Sequence, residues 1–360
     1  MKNKLIFEFS KNKTDGDSSL NNLLGGKGAN LAEMSNMKIP VPPGFTITTE
    51  VCNYFTENNK LPDNLDNEIR KAVKNLESLS DKSFGGEGTP LLLSVRSGGR
   101  VSMPGMMDSV LNIGLNDSNV FQLAEAFNDE RFALDSYRRL IQMYSNVVLG
   151  VEHERFEAVL ANKKRMDNVV SDADFNVDQL NWIINAYKNT VERFTDSLFP
   201  QDPYEQLTGA IEAVFNSWQN KRAVIYRKIN NIPDSWGTGA TIQTMVFGNL
   251  NDKSGTGVAF TRNPSNGDRE LYGEYLINAQ GEDVVAGIRT PHPIRKHSKI
   301  EQESLESKFP KAYKELLEIS TKLENHFKEA QDIEFTIEKE DIYLLQTRTA
   351  KRTAQASVKI

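Results

Sequence analysis

Apolar positions along the chain follow either the spacing of a helix or the short runs and alternation of a strand. A change from one pattern to the other predicts where a helix or strand begins. Up to about residue 115, apolar runs typical of strands alternate with helical spacing and glycine-rich turns. Strands are predicted here at residues 5–9, 45–48 and 91–95, and helices at 27–37 and 64–79. From about 118 to 198 glycine becomes rare and helical spacing dominates, as in 132–149 and 180–194. This stretch predicts a helical insert.

The second half of the chain returns to a mixed pattern. Residues 204–229 predict one long amphipathic helix, and 311–329 predict another. Strands are predicted at 241–247, 257–261 and 271–277, followed by a hairpin of 331–337 and 342–347. The polar residues from Ala350 onward are expected to fray. The predicted fold class is therefore α+β with a helical insert.

Strict alternation in the hairpin assigns its side chains to two faces. One face of the first strand carries Asp332, Glu334, Thr336 and Glu338, and the other carries Ile333, Phe335 and Ile337. The second strand is predicted to place Leu344, Gln346 and Arg348 on a common face. With a three-residue connection at 339–341, Glu334 lies opposite Gln346. Asp332 then lies opposite Arg348.

Two interpretations of this hairpin face remain open from spacing alone. The carboxylates of Asp332 and Glu334, with the amide of Gln346, offer the oxygen ligands that Mg²⁺ prefers. Arg348 adds a planar fork that suits phosphate. Alternatively, the face is a solvated strand surface with a cross-strand salt bridge.

Two glycine-rich segments are candidates for binding an anion. Residues 24–28 place Lys27 among glycines just before a helix, where backbone N–H groups favour a phosphate, although a plain turn explains the pattern equally well. Lys27 is followed by glycine and not by Ser or Thr, so this is not a Walker A loop. The segment 96–108 runs from a strand into a loop that either folds over phosphates or is a mobile surface loop. Its candidate residues are Arg96, Ser97, Gly98, Gly99, Arg100, Ser102, Met103 and Gly105.

A third candidate segment follows the strand at 271–277. Glu282 and Asp283 precede an apolar pair that begins at Val284, so the segment either faces a ribose or adenine or simply begins a loop. Gly255 and Gly257 lack the third glycine of a dinucleotide-binding fingerprint, which excludes a Rossmann site there.

Composition narrows the function classes. The 360 residues carry a net charge of −6, whereas a non-specific nucleic-acid binder is expected to be basic. No apolar run approaches the roughly 20 residues of a membrane span. Cys52 is the single cysteine and cannot form an internal disulfide, which favours the cytoplasm.

The chain resembles the pyruvate phosphate dikinase family through motifs that occur in the family's order over almost its whole length. They are residues 22–34, 42–46, 94–97, 102–108, 135–139, 142–144, 281–291, 332–335 and 345–348. The sequence Met-Pro-Gly-Met-Met-Asp at 103–108 favours the dikinases over the related phosphoenolpyruvate synthases. Gly99 stands where the family pattern has alanine.

The resemblance implies an ATP-grasp-like fold that holds ATP between two lobes. The implied domains are an N-terminal lobe at 1–115, a helical subdomain at 116–200, a C-terminal lobe at 201–349 and a tail at 350–360. By motif match, Lys27 and Arg96 contact phosphates, and the loop 97–108 caps the triphosphate. Glu282 and Val284 lie near the adenosine. The metal and phosphate wall, with Mg²⁺, comprises Asp332, Glu334, Gln346 and Arg348; Arg96 and Arg348 are the implied catalytic pair.

The implied activity needs a partner domain. In the family, a histidine on a swivelling domain attacks the β-phosphorus of ATP and AMP leaves; inorganic phosphate then takes the terminal phosphoryl group, and the phosphohistidine phosphorylates pyruvate. The histidine motif is absent from these 360 residues, so we expect an excised domain or a fragment that binds ATP as a monomer without completing the reaction. A phosphoenolpyruvate synthase-like dikinase and a non-catalytic ATP-binding module are the alternatives.

Overall fold

The computed structural model describes residues 4–287, 289–296 and 303–360, which form two compact units. The first unit contains residues 4–8, 20–28 and 43–245. The second contains residues 9–19 and 29–42 together with the described part of 246–360. Each unit therefore combines a short N-terminal portion with a long later one.

The first unit is built on a five-stranded sheet in the order β1-β2-β5-β3-β4. Its strands are β1 (Ile6–Phe9), β2 (Gly44–Ile47), β3 (Leu93–Gly99), β4 (Ser109–Ile113) and β5 (Thr238–Thr244). The helices that begin in this unit are α1 (Asn21–Asn36), α2 (Thr49–Asn58), α3 (Leu65–Ser80), α4 (Asn119–Phe127), α5 (Glu130–Val147), α6 (His153–Asp167), α7 (Val177–Thr195), α8 (Pro203–Ser217) and α9 (Lys221–Ile229). The run from α4 to α7 is the helical insert that the sequence predicts.

The second unit is built on another five-stranded sheet, in the order β10-β9-β6-β7-β8, with antiparallel neighbours throughout. Its strands are β6 (Gly255–Phe260), β7 (Tyr272–Ile277), β8 (His292–Pro293), β9 (Gln331–Glu338) and β10 (Asp341–Thr349). Its helices are α10 (Gly281–Ala286), α11 (Leu305–Lys308), α12 (Pro310–Phe327) and α13 (Ala354–Lys359). The α+β class is thus confirmed.

The core of the second unit fixes which face of the hairpin is apolar. Ile333, Phe335 and Ile337 are fully buried in a cluster that includes Leu316 and Leu323 of α12. Burial of each such side chain contributes about 1.5–3 kcal/mol. A slip of one residue would expose all three, so the register of β9 is strongly specified.

A buried ion cluster lies inside the helical insert. The Asp135 carboxylate accepts hydrogen bonds from Arg138 at 2.7 Å and from Arg139 at 3.0 Å, and the side chains of Asp135 and Arg138 are almost fully buried. Burial by itself would raise the pKa of Asp135, but the adjacent guanidinium groups outweigh it and hold that pKa well below its usual range. The carboxylate therefore stays charged and paired.

Two predictions about the helices are wrong. Residues 204–229 form two helices, because α8 ends at Ser217 and Asn220 leaves the helical conformation with a ψ of 141° before α9 begins. The Arg227 guanidinium donates to the Trp218 carbonyl across this break. The residues after Ala350 do not fray. They form α13, where the Thr353 amide donates to the Pro264 carbonyl at 3.1 Å and Lys359 pairs with Asp268.

No helix within the described ranges combines the length and the apolar character needed to cross a bilayer.

Candidate functional site

The hairpin of β9 and β10 brings the predicted polar side chains together. Asp332 lies opposite Arg348, and Glu334 lies opposite Gln346, so the predicted pairing is confirmed. The Arg348 Nε donates to Asp332 Oδ2 at 2.8 Å. Asp332 keeps 12% of its side chain exposed and Arg348 keeps 38%, so the pair is reachable from solvent.

The connection that produces this pairing differs from the predicted one. A two-residue turn joins the strands at Lys339 and Glu340, whose φ values of 49° and 71° are typical of a type I′ turn. A β-bulge at Leu345 adds the missing residue and restores the register beyond it. Leu344 consequently lies opposite Phe335 and is fully buried, so its predicted place beside Gln346 is wrong.

A third strand extends the polar face. Val258 of β6 lies opposite Glu334, and Phe260 lies opposite Asp332, so two half-buried apolar side chains flank the carboxylates. Farther along β9 the same face is covered, because Thr336 is 3% exposed and meets Thr256. The accessible part of the face therefore combines charge with an apolar border. Val258 and Phe260 are not among the predicted site residues, although the strand predicted at 257–261 contains both.

The donor set of this face fits Mg²⁺. Mg²⁺ is usually held by one or two carboxylates together with substrate phosphates and water, and not by a protein cage. Asp332, Glu334 and the amide oxygen of Gln346 offer that type of set. Among the residues that the structure describes, no group of three or more His, Cys, Asp or Glu side chains suited to a metal occurs.

Lys27 belongs to a sharply bent glycine segment in the first unit. Gly25 interrupts α1 with φ 68° and ψ 164°, a conformation almost restricted to glycine. A Cβ added to Gly25 would lie 1.7 Å from the Gly98 carbonyl oxygen, so the two backbones touch. A Cβ on Gly98 would lie 3.2 Å from the Lys27 Cβ. Lys27 therefore packs on the face of β3 to which Gly98 points.

Arg96 lies on that same face, because residues two apart on a strand point to the same side. Its Nη2 donates to the Gln243 Oε1 at 2.5 Å, which orients the guanidinium along the sheet. The structure thus brings Lys27 and Arg96 to one side of β3. Ser97 and Gly99 alternate to the opposite side, where a Cβ on Gly99 would approach Met107 and Trp218.

The predicted phosphate loop is shorter than expected. Ser97, Gly98 and Gly99 are paired with β5, so the loop begins at Arg100, and their assignment to a loop is wrong. The Asn21 Nδ2 donates to the Arg100 carbonyl at 3.2 Å, and the Arg100 guanidinium lies 5.2 Å from the Trp236 ring centroid.

The tip and the far end of this loop differ in exposure. Ser102 and Gly105 are exposed, whereas Met103 is buried. At the far end, Asp108 is held by Asn220 at 3.0 Å and by Arg222. The loop is therefore anchored at both ends and open at its tip.

Glu282 and Val284 lie on α10, which packs against β6 and β7 in the second unit. Both side chains are half-buried. The backbone N–H of Gln280 donates to Asp283 Oδ2 at 2.8 Å, and the backbone N–H of Ala279 donates to the Gly248 carbonyl at 2.9 Å. The helix is thus fixed at its start, beside the sheet that carries the hairpin.

Comparison with known proteins agrees with these features. The family model described as "Pyruvate phosphate dikinase, AMP/ATP-binding domain" matches residues 21–84, 59–312 and 301–360. A pyruvate, phosphate dikinase of Rickettsia conorii is 52% identical over 358 residues, which cover 99% of this chain and 40% of that protein.

Two further relatives come from distant organisms. The pyruvate, phosphate dikinase of Clostridium symbiosum is 49% identical over 359 residues, covering 99% of this chain and 40% of that protein. The chloroplastic enzyme of Mesembryanthemum crystallinum is 48% identical over 358 residues, covering 99% of this chain and 37% of that protein. The chain therefore spans about two fifths of the length of these relatives.

Proposed function

We propose that this chain, which belongs to the family of the pyruvate phosphate dikinase AMP/ATP-binding domain, binds ATP and activates its β-phosphorus for attack by a histidine on a separate domain. AMP is the leaving group, and the pyrophosphoryl group passes to the histidine. The overall reaction would convert ATP, inorganic phosphate and pyruvate into AMP, pyrophosphate and phosphoenolpyruvate. The observation that carries the proposal is the hairpin face of Asp332, Glu334, Gln346 and Arg348.

Phosphoryl transfer depends chiefly on positioning and on neutralising charge, and the residues suit both tasks. Asp332, Glu334 and Gln346 would hold Mg²⁺, which neutralises phosphate charge when bound. Lys27 and Arg96, on one side of β3, would bind phosphate oxygens. The exposed loop tip at Ser102 and Gly105 would cap them, supported by Met103.

Arg348 would stabilise the charge that develops as the bond to AMP breaks. Its Asp332 partner fixes the guanidinium at the hairpin face, and its 38% exposure leaves donors available for a phosphate. The attacking imidazole comes from the other domain, so no general base is assigned to this chain. Glu282 and Val284 would contact the adenosine.

Binding of ATP with and without Mg²⁺, measured by titration calorimetry on the 360-residue chain, tests the proposal. We expect saturable ATP binding that Mg²⁺ strengthens and that Arg348→Ala weakens. Arg70→Ala is the matched control, because the Arg70 Nε makes a similar 2.9 Å bond to Asp66 on an exposed helix. Failure of the chain to bind ATP, or equal losses in the two variants, would contradict the proposal.

The chain alone is expected to be a monomer and to consume no ATP in the presence of pyruvate. Light scattering and an assay for phosphoenolpyruvate test these points. We also propose that it acts in the cytoplasm, where the buried thiol of Cys52 remains reduced.

A further inference from the structure

The segment that carries Glu282 and Val284 leaves the sheet at the end of β7 and returns to it at β8. Asn278 begins the departure with a left-handed φ of 49°, and the chain comes back to pair His292 with Tyr275. This closed excursion, whose described residues are 278–287 and 289, contains α10.

A side chain from the returning segment closes the base of this excursion. The Arg289 Nη2 donates to the Ile277 carbonyl at 2.8 Å, and its Nη1 donates to the Asn278 carbonyl at 3.0 Å. Arg289 therefore joins the chain that follows α10 to the chain that precedes it.

The geometry is specific to arginine. Two consecutive carbonyls are engaged by the two terminal nitrogens of one planar group, whereas the three donors of a lysine share one nitrogen and do not reproduce this fork. Hydrogen bonds from a charged donor are stronger than those between neutral groups. The side chain thus ties the segment after α10 to the end of β7 and fixes where α10 stands on the sheet.

We infer that Arg289 is a positioning residue for the adenosine part of the nucleotide, acting through α10. The inference rests on the proposed function, in which Glu282 and Val284 contact the adenosine. It assigns no contact between Arg289 and the ligand. Its loss weakens every ligand that contains adenosine, whereas binding of an isolated polyphosphate chain is unaffected.

The test compares Arg289→Ala and Arg289→Lys with the unchanged 360-residue chain. The probes are MgATP, AMP, adenosine and inorganic tripolyphosphate, and their dissociation constants are measured by calorimetry or by competition. Arg289→Ala should raise the constants for the three adenosine ligands by about tenfold, the typical effect of losing a charged hydrogen bond. Tripolyphosphate binding should change by less than about twofold, and Arg289→Lys should be intermediate for the adenosine ligands.

Arg295→Ala is the matched control. Arg295 lies in the same unit just beyond β8 and pairs with Glu270, so the substitution removes the same charge without touching the base of the excursion. It should leave all four constants nearly unchanged. Hydrogen exchange of the amides in 279–287 should accelerate in Arg289→Ala and not in Arg295→Ala.

Each other outcome overturns a defined statement. If tripolyphosphate loses as much affinity as the adenosine ligands, Arg289 is a general structural or electrostatic residue. If ATP and AMP lose affinity and adenosine does not, Arg289 is a direct phosphate ligand. Both results overturn the inference. Unchanged constants in both Arg289 variants also overturn it, while ATP binding by the unchanged chain would leave the proposed function standing. Should Arg289→Ala fail to fold, Arg289→Lys decides by the same criteria.

Discussion

Replacing Gly25 with alanine should disturb the glycine segment that holds Lys27. The φ of 68° and ψ of 164° at Gly25 lie in a region where a non-glycine residue costs about 1–3 kcal/mol. The added Cβ would also lie 1.7 Å from the Gly98 carbonyl oxygen, a backbone atom that cannot rotate away. Carbon and oxygen atoms approach to about 3.3 Å at closest, so the two segments must separate by about 1.5 Å.

Forced separation in a packed region adds about 1–3 kcal/mol, so the total loss of unfolding free energy should be about 2–6 kcal/mol. Gly150→Ala separates the two contributions. Gly150 has nearly the same φ, 71°, but no atom lies within 4 Å of its added Cβ. That control should lose about 1–2 kcal/mol, the cost of the left-handed backbone alone.

Urea unfolding followed by tryptophan fluorescence suits this test, because all three tryptophans, Trp182, Trp218 and Trp236, lie in the first unit. ATP affinity should fall in Gly25→Ala and not in Gly150→Ala, since Lys27 moves with the segment. If Gly25→Ala is no more destabilising than Gly150→Ala, the close approach of Gly25 to Gly98 is wrong. The placement of Lys27 on the Arg96 side of β3 would then be wrong as well.

Two further substitutions test the hairpin and the helical insert. Arg348→Ala is introduced into an enzyme of the same length as the full relatives. It should lower the rate of single-turnover AMP formation by about 10²–10³-fold with little change in thermal stability. A loss below about threefold would make Arg348 a salt-bridge partner alone. Asp135→Asn should cost about 3–5 kcal/mol of unfolding free energy, because it removes the charged partner of the buried Arg138 and the half-buried Arg139. The folded-state pKa of Asp135 is lowered, so its contribution to the free energy of unfolding is complete above its unfolded pKa of about 3.9 and is lost as the pH falls. The acid dependence of the free energy of unfolding should therefore be weaker in Asp135→Asn. It should be unchanged in the exposed control Asp63→Asn.

The hairpin face was predictable from sequence because its information is local. Alternation alone separates Ile333 and Phe335 from Asp332 and Glu334, and burial then selects the register. Composition likewise predicted the helical insert. The same local reasoning placed Leu344 on the wrong face, because a bulge has no strong signal in a single sequence.

Features that depend on distant parts of the chain were not predictable. The break after α8 lies at Asn220 and is bridged by a hydrogen bond from Arg227 to the Trp218 carbonyl, whereas helical spacing continues through it. The extension of β3 through Gly99 depends on pairing with β5, more than 130 positions later, which overrides the weak strand preference of glycine. The contact between Gly25 and Gly98 has the same origin.

The bulge at Leu345 has a consequence for how this hairpin can vary in evolution. A two-residue turn with a bulge and a three-residue turn without one place Asp332 opposite Arg348 equally well. A one-residue insertion near 339–341 and a one-residue deletion at Leu345 therefore compensate each other, although they lie on different parts of the hairpin. Homologous hairpins can exchange one solution for the other by paired length changes, so a gap placed in this region of an alignment does not signal loss of the arginine–carboxylate pair.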